Sequence, residues 1–565
     1  MFRLLLLVLV LTNSAVTAQW SKDPLNPLEL ADGAGAPRQV HLAEGPQGSL
    51  YLAYLVAGVT KLQRIDAAGR ALWPAAVSVG NLLNIDSRID LASDPSGNAW
   101  VSWADVGLAV FQFDPDGNQL WSNTSLETGN PILQHSLTVT DTGHGVVGWV
   151  DPNGSFMAQR LDPLGTPQWD PPFTRPSTAQ VTPLVKAIGG DAVAVCWTSG
   201  DGVFIFDTHL HAQKLDANGL AVWGPDPVVV FDQGSIFPGT EPSVTPDGQG
   251  GAYFGFHEFD FTAFLVQRVL ADGTQSLGTP GAGTSPASAP NFAGGGRLVL
   301  RPETGETYIA WQDKGFEAGE PTADRGISAQ KFAPDGTPLW GPGGVVCAPL
   351  TGVSKDDAHV VPLPDGVAVA WVENSRRIRV LTLGEDGTPK GGAVDVGDSS
   401  SHKSDFQATA GAFGDVVAVW RETLGDDVLG QTLTPSGHFG PAPGAVFRTA
   451  GPNPVSYTAS VGPLGGLLDL SVDLTTTGHA FALLVAYLAP AEIPLGGPGS
   501  DFALVLPVGP ELFSFPLLPG PTAEVKVTIP AHPTLCGVTL YSQAVHLDGA
   551  LALRASNAQD LYLGI

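Results

Sequence analysis

One motif recurs along this 565-residue chain and limits what it can fold into. An alternating apolar run leads to Asp, two residues, Gly, three residues and Trp. Clear copies carry Gly69 with Trp73, Gly117 with Trp121, Gly165 with Trp169, and Gly219 with Trp223. A fifth, with Ala333 in place of Asp, carries Gly336 with Trp340. Degenerate copies centre on Gly273, Gly387 and Gly437, with Leu277, Gly391 and Pro441 where Trp would stand. Upstream of each copy an alternating run ends in an aromatic: Tyr54, Trp103, Trp149, Trp197, Phe256, Trp311, Trp371 and Trp420. Fixed-period self-similarity of this kind marks a repeat architecture.

The chemistry of one unit defines its shape. Asp-Pro-Asp-Gly is a tight-turn sequence, in which Pro presets φ and Gly takes the positive φ that closes the hairpin. The flanks alternate at period two, as strands do. Each unit then holds about four short strands in roughly 50 residues, the size of a propeller blade. So small a sheet cannot bury its faces alone, and the recurring aromatics are read as wedges between neighbours. The expected fold is all-β: an eight-bladed β-propeller followed by a small C-terminal β-sandwich. Blades are expected to begin near Gln39, Asn84, Pro131, Thr178, Phe237, Pro290, Thr351 and Ser401. Trp20 to Leu30 resembles the last strand of a unit displaced to the N-terminus, and His438 to Arg448 competes for the same place.

The expected divisions are residues 1–18, 19–451 and 452–565. The first reads as a secretory signal, with Arg3, an apolar Leu4 to Leu11 and the small-residue site Val16-Thr17-Ala18. Its apolar run is about half a membrane span, and no later stretch is long and apolar enough to cross a bilayer, the segment from Ala480 to Leu488 being too short. The expectation is export, with the chain secreted or held at the cell surface. The last division contains no Trp and six apolar alternating runs between Gly/Pro turns, which suits a sandwich. Gly and Pro, at 70 and 48 residues, supply the turns throughout. The net charge of -28 excludes a basic nucleic-acid binder. Cys196, Cys347 and Cys536 form an odd set, read as buried small hydrophobes.

The Asp-x-x-Gly-x-x-x-Trp pattern resembles the docking motif of quinoprotein-type (PQQ-like) propellers. It resembles more closely the repeats of uncharacterised secreted bacterial propellers, where Gln-Arg-hydrophobic-Asp leads into the turn. Gln63-Arg64-Ile65-Asp66, Gln159-Arg160-Leu161-Asp162 and Gln213-Lys214-Leu215-Asp216 carry that likeness. The segment from Ile529 to Gln543, with Ser556-Asn557, resembles a small β-domain recurrent at the ends of exported bacterial proteins. The resemblance implies architecture and leaves activity open. It does not imply the quinone, because the chain lacks the adjacent Cys pair that such dehydrogenases place over that cofactor.

Standard catalytic motifs are missing from the sequence, among them Gly-x-Ser-x-Gly, His-Glu-x-x-His and the Walker loop. The turn motif has one residue too many between Gly and Trp for a sialidase Asp-box. Three constellations remain as candidates. An acid stands two residues after the strand aromatic in six units: Asp105, Asp151, Glu258, Asp313, Glu373 and Glu422. Equivalent places in a ring share a face, so these could form a ligand-binding circle of carboxylates; alternatively each caps its own loop or meets a local Arg. The stretch from Gln312 to Ile327 reads as the longest loop within a unit and holds Asp313, Glu317, Glu320, Asp324 and Arg325. Its oxygens would suit Ca²⁺, although no EF-hand pattern is present, and no other cofactor is expected. His209 and His211, with Asp207, share one strand face.

The leading expectation is an exported non-catalytic binding or scaffold protein for an extracellular glycan or protein ligand. The alternatives are a polysaccharide lyase or glycoside hydrolase working at the ring mouth, or a structural envelope or matrix component.

Overall fold

The computed structural model describes residues 19–564 except 32–36, 82–87, 129–131, 133, 177–181, 201–207, 237–241, 259–262, 279–280, 284–291, 318–319, 435–436, 450–451, 488, 496–499, 506–512, 520, 530, 532–534, 537 and 548–552. The expected signal, residues 1–18, lies outside them. The molecule is all-β and propeller-like. Among the described residues eight antiparallel sheets have four strands each. We number them 1 to 8 by their first strands: Arg38–Glu44, Arg88–Ser93, His135–Val139, Leu184–Ala187, Ser243–Pro246, Phe292–Arg301, Lys355–Leu363 and Lys403–Ala410. In sheets 1 to 7 the four strands follow chain order. Sheet 8 takes its outer strand, Leu28–Ala31, from the N-terminal end, paired with Val428–Leu433. Gly444–Arg448, the rival for that place, pairs instead with Leu553–Tyr562.

The turn motif is a self-contained hydrogen-bonding device. The Asp66 carboxylate accepts from the amides of Ala68 and Arg70, while the Gly69 amide donates to the Asp66 carbonyl at 2.9 Å. Asp114, Asp162 and Asp216 repeat both patterns. The turn glycine has φ near +80°, from +78° at Gly219 to +87° at Gly117, where a side chain is strained.

The motif Trp reaches across to the next unit. Trp73 Nε1 donates to the Pro115 carbonyl, Trp121 to Pro163, Trp169 to Ala217 and Trp340 to Glu385. Each ring lies so close to the next turn glycine that a Cβ there would meet it at 2.4–3.0 Å, as at Gly117, Gly165, Gly219 and Gly387. A buried Gln pins the Trp-bearing segment: Gln159 accepts from the Trp169 amide and donates to its carbonyl. Sheet 8 has Pro441 where Trp would stand, and Trp20 does the work. Trp20 Nε1 donates to the Ala67 carbonyl, its ring lies against Gly69, and Gln431 donates to the Asp23 carbonyl.

The strand aromatics fill the same seams. Trp149, Trp197, Trp311, Trp371 and Trp420 are buried, as are Tyr54 and Phe256; Trp103 is half-buried. Eight apolar clusters each span one seam between successive sheets, and the eighth joins sheet 8 and Trp20 to sheet 1. The order of contact is thus cyclic.

Beyond the eighth sheet, a five-stranded sheet and a three-stranded sheet share one apolar core, which includes Tyr457, Leu470, Leu484, Ala544 and Leu561. The five-stranded sheet draws its edge strand, Gly444–Arg448, from before Gly451. A buried polar clamp holds the chain's entry: Asn557 accepts from the amides of Ser456 and Tyr457 and donates to the Tyr457 carbonyl. This unit sits on sheets 1 and 8. Phe413 meets Tyr562 with ring centroids 5.4 Å apart, and Arg70 donates to Thr539 at 2.6 Å.

The loop expected between Gln312 and Ile327 is a β-ribbon instead. Strands Glu306–Glu317 and Glu320–Phe332 pair out to Glu317 opposite Glu320. Cross-strand pairing, invisible to composition, continues through residues that read locally as a polar loop. The three cysteines are free; Cys196 and Cys536 are buried and Cys347 is half-buried. Burial alone pushes the Cys196 thiol up, and burial together with Asp313 pushes up that of Cys347. No helix among the described residues is long and apolar enough to cross a membrane.

Candidate functional site

A four-stranded antiparallel sheet divides its connections between two edges. The turns from first to second strand and from third to fourth, including every Asp-x-x-Gly turn, lie on one face of the ring. The hairpins from second to third strand and the connectors to the next sheet lie on the other, here called the hairpin face. The C-terminal unit meets Phe413, Gly48 and Arg70, all on the turn face. Five of the acids stand at or just beyond the ends of second strands, on the hairpin face; Asp313 lies within the longer strand Glu306–Glu317, where the ribbon carries the sheet onward.

Four of the six side chains are committed locally. Strand period two places residue i+2 on the same side as the Trp, toward the neighbouring sheet. Trp311 Nε1 accordingly donates to Asp313 at 2.8 Å, and Ser328 donates to its other oxygen. Burial raises the Asp313 carboxyl above its ordinary range, offset by these two bonds. Trp420 Nε1 donates to Glu422, which also holds the buried Lys403 ammonium and the Ser399 hydroxyl. Glu373 pairs with Arg379 at 3.5 Å. Asp151 caps its own turn through the amides of Asn153 and Ser155. Asp105 is buried, and the Glu258 backbone forms a β-bridge with Ile236.

The ribbon candidates divide. Side chains of Glu317, Glu320 and Asp324 lie outside the described residues, and with them most of the expected Ca²⁺ set. Arg325 pairs with Asp356 at 2.7 Å, and Gln312 donates to the same carboxylate. Among the described residues, no three His, Cys, Asp or Glu side chains cluster as a metal site. His209 and His211 lie on one strand, with ring centroids 6.5 Å apart, and His211 stacks on Trp197; Asp207 lies outside the described residues.

What sequence reasoning missed is a depression of about 430 Å³ on the hairpin face, between sheets 7 and 8. Glu373, Asn374, Arg376 and Arg377 line it from one hairpin, Asp398 from the end of the fourth strand of sheet 7, Ser399 and Ser400 from the connector to sheet 8, and Val353 from the segment leading into sheet 7. The hairpin is held from both sides. The Asn374 amide donates to the Ser354 carbonyl, and the Lys403 amide to the Ser375 carbonyl, each at 2.7 Å. Asn374 and Ser375 have φ of 53° and 54°, a left-handed pair without glycine. Arg377 Nε donates to Asp398 at 3.1 Å, which raises the guanidinium above its ordinary value. The one signal in the sequence was the Arg376-Arg377 pair, conspicuous in a chain with 27 basic residues against 55 acidic.

No family model and no curated protein matches the chain. Solved structures resemble it at low identity. The Saccharomyces cerevisiae protein Sqt1 is 9% identical, with 73% of this chain and 98% of that one covered and a TM-score of 0.41. A fungal alcohol oxidase of the AA5 family, in complex with copper, is 10% identical over 84% and 97%, with a TM-score of 0.40. A protein of unknown function from Bacteroides caccae is 14% identical over 41% and 77%, with a TM-score of 0.27.

Proposed function

We propose that the chain is an exported eight-bladed β-propeller with a C-terminal β-sandwich, acting as a non-catalytic binding or scaffold protein. Its hairpin face is the surface offered to an extracellular glycan or protein ligand. The observation that carries this reading is the engagement of the recurring acids. Asp151, Asp313, Glu373 and Glu422 are each bonded within their own sheet or its adjoining connector. Acid–base cleavage of a glycan needs two carboxyls set about 5–9.5 Å apart across the substrate, with one free to give up its proton. Carboxylates spent on indoles, amides and cations serve the seams instead. The cyclic succession of seam clusters supports the ring, and the core shared by two sheets supports the sandwich. The run from Arg3 to Ala18 supports export.

The test is a glycan and protein array probed with residues 19–565, alongside assays for glycan cleavage. Retention of a ligand without turnover is expected. Cleavage that disappears in Asp313→Asn or Glu422→Gln, with folding intact, would establish the enzyme in its place.

A further inference from the structure

Resting on that binding reading, we propose that the depression between sheets 7 and 8 is an oxyanion-selective sugar subsite, taking one hydroxyl-rich unit that bears a single carboxylate or sulfate. Its volume of about 430 Å³ lies in the range of small-ligand sites, about 300–1,000 Å³.

Among the described residues, the charges there leave one cation without a carboxylate partner. Glu373 is paired with Arg379, and Asp398 with Arg377. Arg376 is exposed and, among the described residues, makes no ion pair. It is a cation left over at the rim of a depression, on a chain of net charge -28. A guanidinium presents a planar fork that matches a carboxylate or sulfate with two parallel hydrogen bonds. Arg377, anchored through Nε, keeps its terminal nitrogens for the same anion. A long polyanion would be repelled by the acidic surface around it, which favours a single charged group.

Apart from the apolar Val353, the remaining lining suits hydroxyls. The Asn374 amide both donates and accepts, and Ser400, exposed on the connector, adds a hydroxyl. Asp398 supplies a carboxylate whose second oxygen is free of Arg377 in the bond described. Ser399 is not counted, because its hydroxyl is turned to Glu422. The hairpin is preorganised. Two consecutive left-handed residues without glycine are unfavourable on their own and persist only where the surroundings impose them. Here the neighbouring Ser354 carbonyl and Lys403 amide impose them, so the arginines need little ordering on binding.

Ligand-observed NMR titration of residues 19–565 with methyl glucuronide, glucose 6-sulfate and methyl glucoside tests this. The two anionic probes are expected to bind, more weakly as salt rises, and the neutral glycoside at least about tenfold more weakly. Their order separates carboxylate from sulfate as the natural group. Arg376→Gln and Arg377→Gln should each weaken the anionic probes about tenfold with an unchanged melting curve, and Arg175→Gln should not. Equal binding of the neutral probe, no binding of either anion up to about 10 mM, or unchanged affinity in Arg376→Gln overturns the subsite. If array ligands are still captured by Arg376→Gln and Arg377→Gln, the subsite falls and the binding reading stands. Cleavage of array glycans removes the binding reading itself.

Discussion

At the scale of single residues, glycine and aspartate carry the repeat. Gly165 and Gly143 have nearly the same φ, +82° and +80°. A Cβ on Gly165 would meet the Trp121 ring at 2.4 Å, whereas one on Gly143 would meet nothing within 4 Å. Gly143→Ala should therefore cost about 1 kcal/mol, the backbone share alone. Gly165→Ala should cost about 2–4 kcal/mol, because the ring must also move. Denaturant melts of the two variants read the difference, and equal losses would show that the indole does not press on the turn. Asp415, in the turn between the first two strands of sheet 8, makes a pH prediction. Burial pushes its carboxyl up from 3.8 to about 6. The folded state then holds this proton more tightly than the unfolded state, so stability is present below pH 4 and falls as pH rises to 6. The loss is about 3 kcal/mol. Asp415→Asn should flatten that part of the profile relative to the parent, and a parallel curve would remove Asp415 as the cause.

At the scale of elements, closure of the eighth sheet depends on one strand from the N-terminal end. Trp20 fills the place that Pro441 leaves empty, between Gly69 and Gly430. Trp20→Ala should cost about 3–5 kcal/mol. Hydrogen exchange should accelerate in Val428–Leu433 before any other sheet opens. Uniform acceleration would mean that the seam is not a separable unit. The turns and their tryptophans could be read from sequence because each device is complete within about ten residues. The closing strand was half-legible: Trp20 to Leu30 had the right pattern, but Gln431 reaches Asp23 across 408 positions, and only packing decides against Gly444–Arg448. The ribbon was misread between Gln312 and Ile327 because Gly315, Pro321 and six charged residues there mimic a loop, while the pairing of facing strands keeps them extended. The i+2 spacing of the acids was visible in sequence. Its meaning as an indole acceptor at Asp313 and Glu422 needed the geometry, and so did the depression, which the sheet 7 hairpin builds together with the segments flanking that sheet.

At the scale of the whole molecule, the C-terminal unit spans the place where the chain's ends meet. Tyr562 packs on Phe413 of sheet 8, and Thr539 accepts from Arg70 of sheet 1. Gly444 approaches Phe413 so closely that a Cβ would meet the ring at 2.0 Å. From the turn face the unit thus grips both sides of the seam next to the strand that sheet 8 borrows from the N-terminal end. Removing both anchors should uncouple the two parts without harming either. In Arg70→Ala/Phe413→Ala the calorimetric transition should split, with the C-terminal unit melting first and the ring following at a lower temperature than in the parent. The two sites lie on different sheets but share one partner unit, so the double variant should lose more than the sum of the single ones. Methyl glucuronide affinity on the opposite face should not change. A single undivided transition at the parent's temperature would show that the seam holds without its clamp, and that the C-terminal unit is carried by the eight sheets without strengthening them.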